Sequence, residues 1–169
     1  MSFRLAAAAA IAAIIVVPGS AGAQVLSEKN VSTKMALTIA ETALAECGTR
    51  VSVAIVDRSG RLKVFLQGDG AAPHNLELAR RKAYTAETFG RSSLEWAQRT
   101  EAGASGGGTS QNIAGQRSLS DVIPLQGGVP IKAGDVTIGG VGLSGAPNGG
   151  PQEEACGKAG IEKVADQLK

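Results

Sequence analysis

Three glycines set inside one apolar strand constrain this chain more than any other feature. In "VTIGGVGLS", residues 136–144, Gly139, Gly140 and Gly142 interrupt a run of Val, Ile and Leu. A glycine in a strand interior has no side chain to pack, so glycines there point to a bulge or to something lying very close over the sheet. Close packing suits the rest of the chain. Beyond residue 23 the only aromatics are Phe65, Tyr84, Phe89 and Trp96, so the core has to be built from Val, Ile, Leu and Ala.

The first residues read as a targeting segment rather than as part of the fold. Arg4 supplies a positive start, "LAAAAAIAAIIVV" is uninterrupted and apolar, Pro18 and Gly19 break it, and the small-residue site Ala21–Ala23 precedes Gln24. That is the pattern of a cleaved secretory signal over residues 1–23. The run is too short to favour a membrane anchor, and no later segment is long and apolar enough to span a bilayer. The expectation is a soluble periplasmic or secreted protein starting at Gln24. Residues 24–169 have the size of one compact domain. The formal net charge of +2 is near neutral, and Lys and Arg are interspersed with Asp and Glu. Without a basic block or aromatic-interleaved patch, nucleic acid and anionic membranes are poor partners.

Along residues 24–169 the pattern predicts a helix over 27–47, with Ala36, Ile39, Ala40, Ala43 and Cys47 on one stripe and Gly48 as its stop. "VSVAIVD" and "RLKVFLQ" predict two strands joined by a tight turn at Asp57–Gly60. A second helix follows "GDGAAPH", with Asn75 as its expected N-cap and Glu77 suiting its positive end. Its stripe of Leu76, Ala79, Ala83, Ala86 and Gly90 is mostly small and suited to lying against a sheet. Arg80, Arg81, Lys82 and Glu87 fall mainly elsewhere, as a solvated rim. "SSLEWAQRT" predicts a short helix capped by Ser92 or Ser93. The glycine-rich break "EAGASGGGTSQ" lacks the GK[ST] of a phosphate loop and reads as a rim loop or lid. Two further strands meet at a turn near Ala133–Asp135, and a last helix is expected over 152–168, opened by Glu153 and Glu154 as complements to its dipole. Hairpins separated by a helical block imply an α+β layered domain, with helices on the faces of one antiparallel sheet.

Cys47 and Cys156 form an even pair far apart in sequence. In an oxidising compartment they are a disulfide candidate, and the alternative is two buried thiols.

The stretches "VAIVDRSGRLKVFLQGDGA", "LARRKAYTA", "PLQGGVPI" and "IGGVGLSGAPNGGPQEEACGKAGI" together resemble the GlcG/HbpS family of haem-binding, haem-degrading-type domains. They occur in the family's order and cover most of the chain from Leu37 to Lys169. The resemblance implies a profilin-like αβα fold and assembly into homo-oligomers, from dimers to octamers. It also implies noncovalent haem binding in secreted members, sometimes with slow haem breakdown or a redox-sensing partner. Cys47 lies outside the shared motif, and the insert Gly103–Gly108 is individual to this chain.

Haem iron needs a nitrogen, sulfur or phenolate donor, apolar walls, and cations near the propionates. His74 is the only imidazole in the chain and is the candidate iron ligand. The competing reading is a polar residue that ends a loop. Tyr84 is a candidate second ligand or lid, Arg80 and Arg81 candidate propionate partners, and Phe65 and Phe89 candidate walls. No C-x-x-C-H is present for covalent attachment. Glu153, Glu154, Asp69 and Glu77 are weaker candidates for a metal. Ser144, in "GLSGA", lacks nucleophile-elbow spacing, and no acid–base pair stands out as arranged for a reaction. Two functions therefore remain: a haem-binding protein that stores, buffers or slowly degrades haem, and a profilin-like module that takes a non-haem small molecule or a protein.

Overall fold

In a computed structural model, residues 25–101 and 110–169 are described. The signal-like segment 1–23 and the glycine-rich insert 103–108 lie outside them. The elements run α1 (Thr33–Cys47), β1 (Ser52–Asp57), β2 (Leu62–Gln67), α2 (Asn75–Phe89), α3 (Ser93–Arg99), α4 (Ser110–Arg117), β3 (Gly128–Ala133), β4 (Val136–Ser144) and α5 (Gly150–Glu162), with a closing 3-10 turn at Ala165–Gln167. The four strands form one antiparallel sheet in the order β2-β1-β4-β3. The α+β reading holds.

Side chains alternate across the sheet, and each face has its own cover. On one face Val53, Ile55, Val129, Ile131, Val141 and Leu143 pack against Ala36, Ile39, Ala40 and Ala43 of α1 and Cys156 of α5. On the other, Ala54 and Val56 pack against Ala79 and Ala83 of α2, with Phe65 at the margin. This gives helix, sheet and helix layers around central β1, which is buried over Ser52–Val56.

The glycines explain how α2 sits. A methyl group at Gly142 would run into the Ala79 carbonyl, one at Gly140 into the Ala83 carbonyl, and one at Gly128 into the Lys82 carbonyl. Two adjacent strands thus lack side chains where α2 crosses them, and the helix backbone rests almost directly on the sheet. Gly139 belongs to the opposite face, where a methyl group would meet Val31 and the Val56 carbonyl.

Helix ends depart from the expectation for local reasons. The first helix begins at Thr33, not near Ser27, because Ser32 caps it by accepting from the Met35 amide at 3.1 Å. The residue before that cap, buried Val31, donates its amide to the Ile138 carbonyl. In α2 the N-cap is His74 and not Asn75. Asn75 turns inward and accepts from the Ser144 hydroxyl at 3.2 Å. Leu76 leaves the expected stripe and is 40% exposed, while Lys82 joins it at 5%. Ser92 caps α3 in a full capping box with Glu95. The last helix starts at Gly150, with Pro151 pre-set for its first turn, and ends at Glu162. There the Val164 amide reaches back only three residues, to Ile161, and the chain tightens into the 3-10 turn.

Cys47 and Cys156 are joined in a disulfide, with Cα atoms 5.8 Å apart. It ties the C-terminal turn of α1 to α5 beneath the sheet, both sulfurs lying in the core.

Candidate functional site

The six residues expected around haem are strung along one side of the fold, mostly on α2. His74 stands exposed at the N-cap and makes no side-chain cap bond. Phe65 lies opposite Ala54 in the β1–β2 register, hence on the α2 face of the edge strand, and is half-buried. Tyr84 is half-buried with its ring against Gly60 in the β1–β2 turn, where any side chain would strike it. Phe89 stacks on Trp96 of α3, ring centres 5.0 Å apart. At about 1.5 Å per residue, His74 and Phe89 sit roughly 22 Å apart along the helix. Phe89 therefore belongs to a satellite cluster with Trp96, over which Arg117 lies at 6.0 Å, and away from the imidazole.

The two arginines already have partners. Arg80 bonds Glu77 at 2.9 Å and Asp121 at 2.7 Å. Partial burial works against its charge, but the bonds to Asp121 and Glu77 outweigh that and raise its pKa above the ordinary value. Arg81 donates to the Val122 carbonyl at 2.7 Å, and its Nε is buried without a bond. Both tie Asp121 and Val122 to α2.

What surrounds His74 is instead the place where several chain segments meet. A methyl group on Gly145 would touch both the Asn75 side chain and the Arg50 carbonyl. The α1–β1 loop, the end of β4 and the start of α2 therefore converge there. Arg50 is exposed and has no ion pair among the described residues. It was not among the expected residues, because nothing in its loop marks it out in the sequence.

This junction is fixed from below by a buried ion pair. Lys82 Nζ lies 2.6 Å from Glu153 Oε2 and donates to the Leu143 carbonyl at 3.0 Å. The other oxygen of Glu153 accepts from the Gly145 amide at 2.8 Å and the Ala146 amide at 3.4 Å. Lys82 is thus no solvated rim residue. Glu153 does stand in the first turn of α5, but it is buried and its oxygens are committed to these partners. Glu154 reaches Gln126 at 2.8 Å and Lys158 at 3.0 Å. Among the described residues no group of His, Cys, Asp and Glu is arranged to hold a metal ion.

At the other end of α2, Glu87 has its carboxyl pKa raised, chiefly by burial, with Asp57 adding and Thr88 and Arg58 opposing. A raised carboxyl pKa stabilises the fold most below the unfolded value, and that contribution is lost as pH rises through the folded value. Glu87→Gln should therefore raise the melting temperature slightly at neutral pH, with the gain vanishing near pH ~4. A gain that grows on acidification would contradict this.

Residues 30–162 match the model of the HbpS-like haem-degrading proteins. The crystal structure of HbpS superposes with a TM-score of 0.72 at 30% identity, covering 83% of this chain and 94% of that one. The haem complex of PduOC gives 0.68 at 23% identity, covering 80% and 95%, and the Klebsiella pneumoniae protein ORFY gives 0.71 at 19%, covering 84% and 95%. The last two show the fold alone. No curated protein matches the sequence. With the family model spanning well over half of it, the chain belongs to the HbpS-like family of haem-degrading proteins.

Proposed function

We propose that this protein is exported and binds haem noncovalently, to store, buffer or slowly degrade it. The observation that carries the reading is family membership over residues 30–162. The N-terminal end of α2 fits one side of such a ligand. His74 offers an exposed imidazole with no bond to another described side chain, and Leu76 in the first turn of α2 is also exposed. Arg50 enters the same junction through its backbone, its exposed side chain is without an ion pair among the described residues, and the N-terminal end of the α2 dipole adds partial positive charge, as propionates require. His74 would hold the iron, and Arg50 would take over the propionate role first expected of Arg80 and Arg81. Bound haem would supply an iron centre for redox chemistry.

The imidazole stands on an open ledge, so a second wall must come from elsewhere. A second copy of the chain in a homo-oligomer is the proposed source. Export is supported by the signal-like segment 1–23 and by the Cys47–Cys156 disulfide, since such bonds persist in oxidising compartments.

Titrating haem into the purified protein should give a saturable Soret band, and His74→Ala should weaken or shift it. A tenfold weakening, about 1.4 kcal/mol, is the scale expected for the variant. No saturable spectral change would sink the haem reading. An unchanged band in the variant would remove His74 as the ligand.

A further inference from the structure

A concave site lies where the end of α1 meets the end of β2. Glu41, Leu44 and Ala45 of α1, its cap Gly48, Thr49, Gln67 at the end of β2, and Gly68 and Asp69 after it line a cleft of about 370 Å³. Its apolar wall is Leu44 and Ala45, with Leu44 packed against the core. Gly68 forms the floor, because a methyl group there would meet the carbonyls of Thr49 and Val51.

The polar groups of the cleft share one character. Glu41 and Asp69 are exposed, and neither carboxylate has an ion-pair partner among the described residues. No lining residue is basic. The last turn of α1 carries no basic residue, and its cap returns one amide to the Leu44 carbonyl. The remaining terminal carbonyls thus present the negative end of the helix dipole. Gln67 donates one of its two amide N–H groups to the Ala71 carbonyl at 3.3 Å, and its oxygen keeps its capacity to accept. The cleft therefore offers acceptors and negative charge around an apolar wall. Haem propionates would be repelled there.

A ligand complementary to this needs several donors, a positive charge and a short apolar body. A primary ammonium has three donors and no acceptor. We propose that the cleft binds a short aliphatic amine as its ammonium ion, with the head between Glu41 and Asp69 and the alkyl chain against Leu44 and Ala45. Its size falls within the range of small-molecule sites, and its accessible pair of carboxylates makes the binding salt-sensitive.

The test follows backbone amide signals of the isotope-labelled, full-length mature protein during titration with n-pentylamine, n-pentanol and pentanoate. The expected result is saturable shifts at Gly48, Thr49, Gly68 and Asp69 with the amine only. Combining Glu41→Gln with Asp69→Asn should weaken that binding by about tenfold, two partly exposed ion pairs together. Both residues lie on the surface, and the same spectra report whether the variant is folded. His74→Ala should leave amine binding unchanged, which separates this site from the haem reading. The proposal is overturned by absence of saturable shifts at millimolar amine, by an equal response to n-pentanol, or by undiminished binding in the folded double variant.

Discussion

Replacing Glu153 with alanine should destabilise the protein by about 3–5 kcal/mol, the range for breaking one side of a buried ion pair. Glu153 is 3% exposed and Lys82 5%. The truncation strips the Lys82 ammonium of its only carboxylate at bonding distance among the described residues and leaves the Gly145 and Ala146 amides without their acceptor. Lys82 keeps only the Leu143 carbonyl, and two backbone amides lose an acceptor at a mostly buried spot. The midpoint of urea unfolding should fall accordingly at unchanged slope. Lys82→Met combined with Glu153→Leu removes both charges and fills the space, so it should recover part of the loss, because apolar replacement of a buried pair is often tolerated. A Glu153→Ala midpoint within about 0.5 kcal/mol of the parent would show that the pair does not anchor the fold.

Removing the disulfide should have an effect of similar size. The bridge spans 109 positions, and closing a loop of that order in the unfolded chain is worth up to about 4.7 kcal/mol by the chain-entropy model, more commonly 2–4. Cys47→Ala with Cys156→Ala avoids placing hydroxyls in the core and should lose about 3 kcal/mol. Unfolding midpoints that coincide for this variant and the oxidised parent would contradict the expected contribution.

The fold was largely legible in the sequence, because apolar periodicity marks each strand and helix and glycine or serine marks several of their ends. The stripe on α2 shows where that reading falters. Lys82 lies three residues after Ala79 and four before Ala86, in phase with the buried positions. Its charge placed it on the rim, whereas its spacing placed it inside. The partner that resolves the conflict, Glu153, is 71 residues away, a pairing no local pattern contains. Leu76 erred in the opposite sense, as an apolar residue counted inward although its position turns to solvent.

The candidate site was less legible. His74 stands out in the sequence because it is the one imidazole, and Phe65 and Tyr84 lie on the α2 side of the sheet. Arg80, Arg81 and Phe89 were grouped with them by proximity on a helix. The structure gives each its own engagement with Asp121, Val122 or Trp96. Arg50 and the cleft beside α1 both arise from loops that meet only in three dimensions. The two cysteines were correctly paired as a candidate, though distance alone could decide it.

The disulfide also determines how the domain would carry a pulling force. All four strands, and helices α2 to α4, fall between Cys47 and Cys156 in the chain. Tension applied at the two ends passes from α1 to α5 through the sulfur–sulfur bond and bypasses the sheet. While that bond holds, stretching can peel away only the flanking segments, and the sheet cannot be drawn out. Under load the molecule is a closed ring with two short tails, and its extensible length is set by the tails alone.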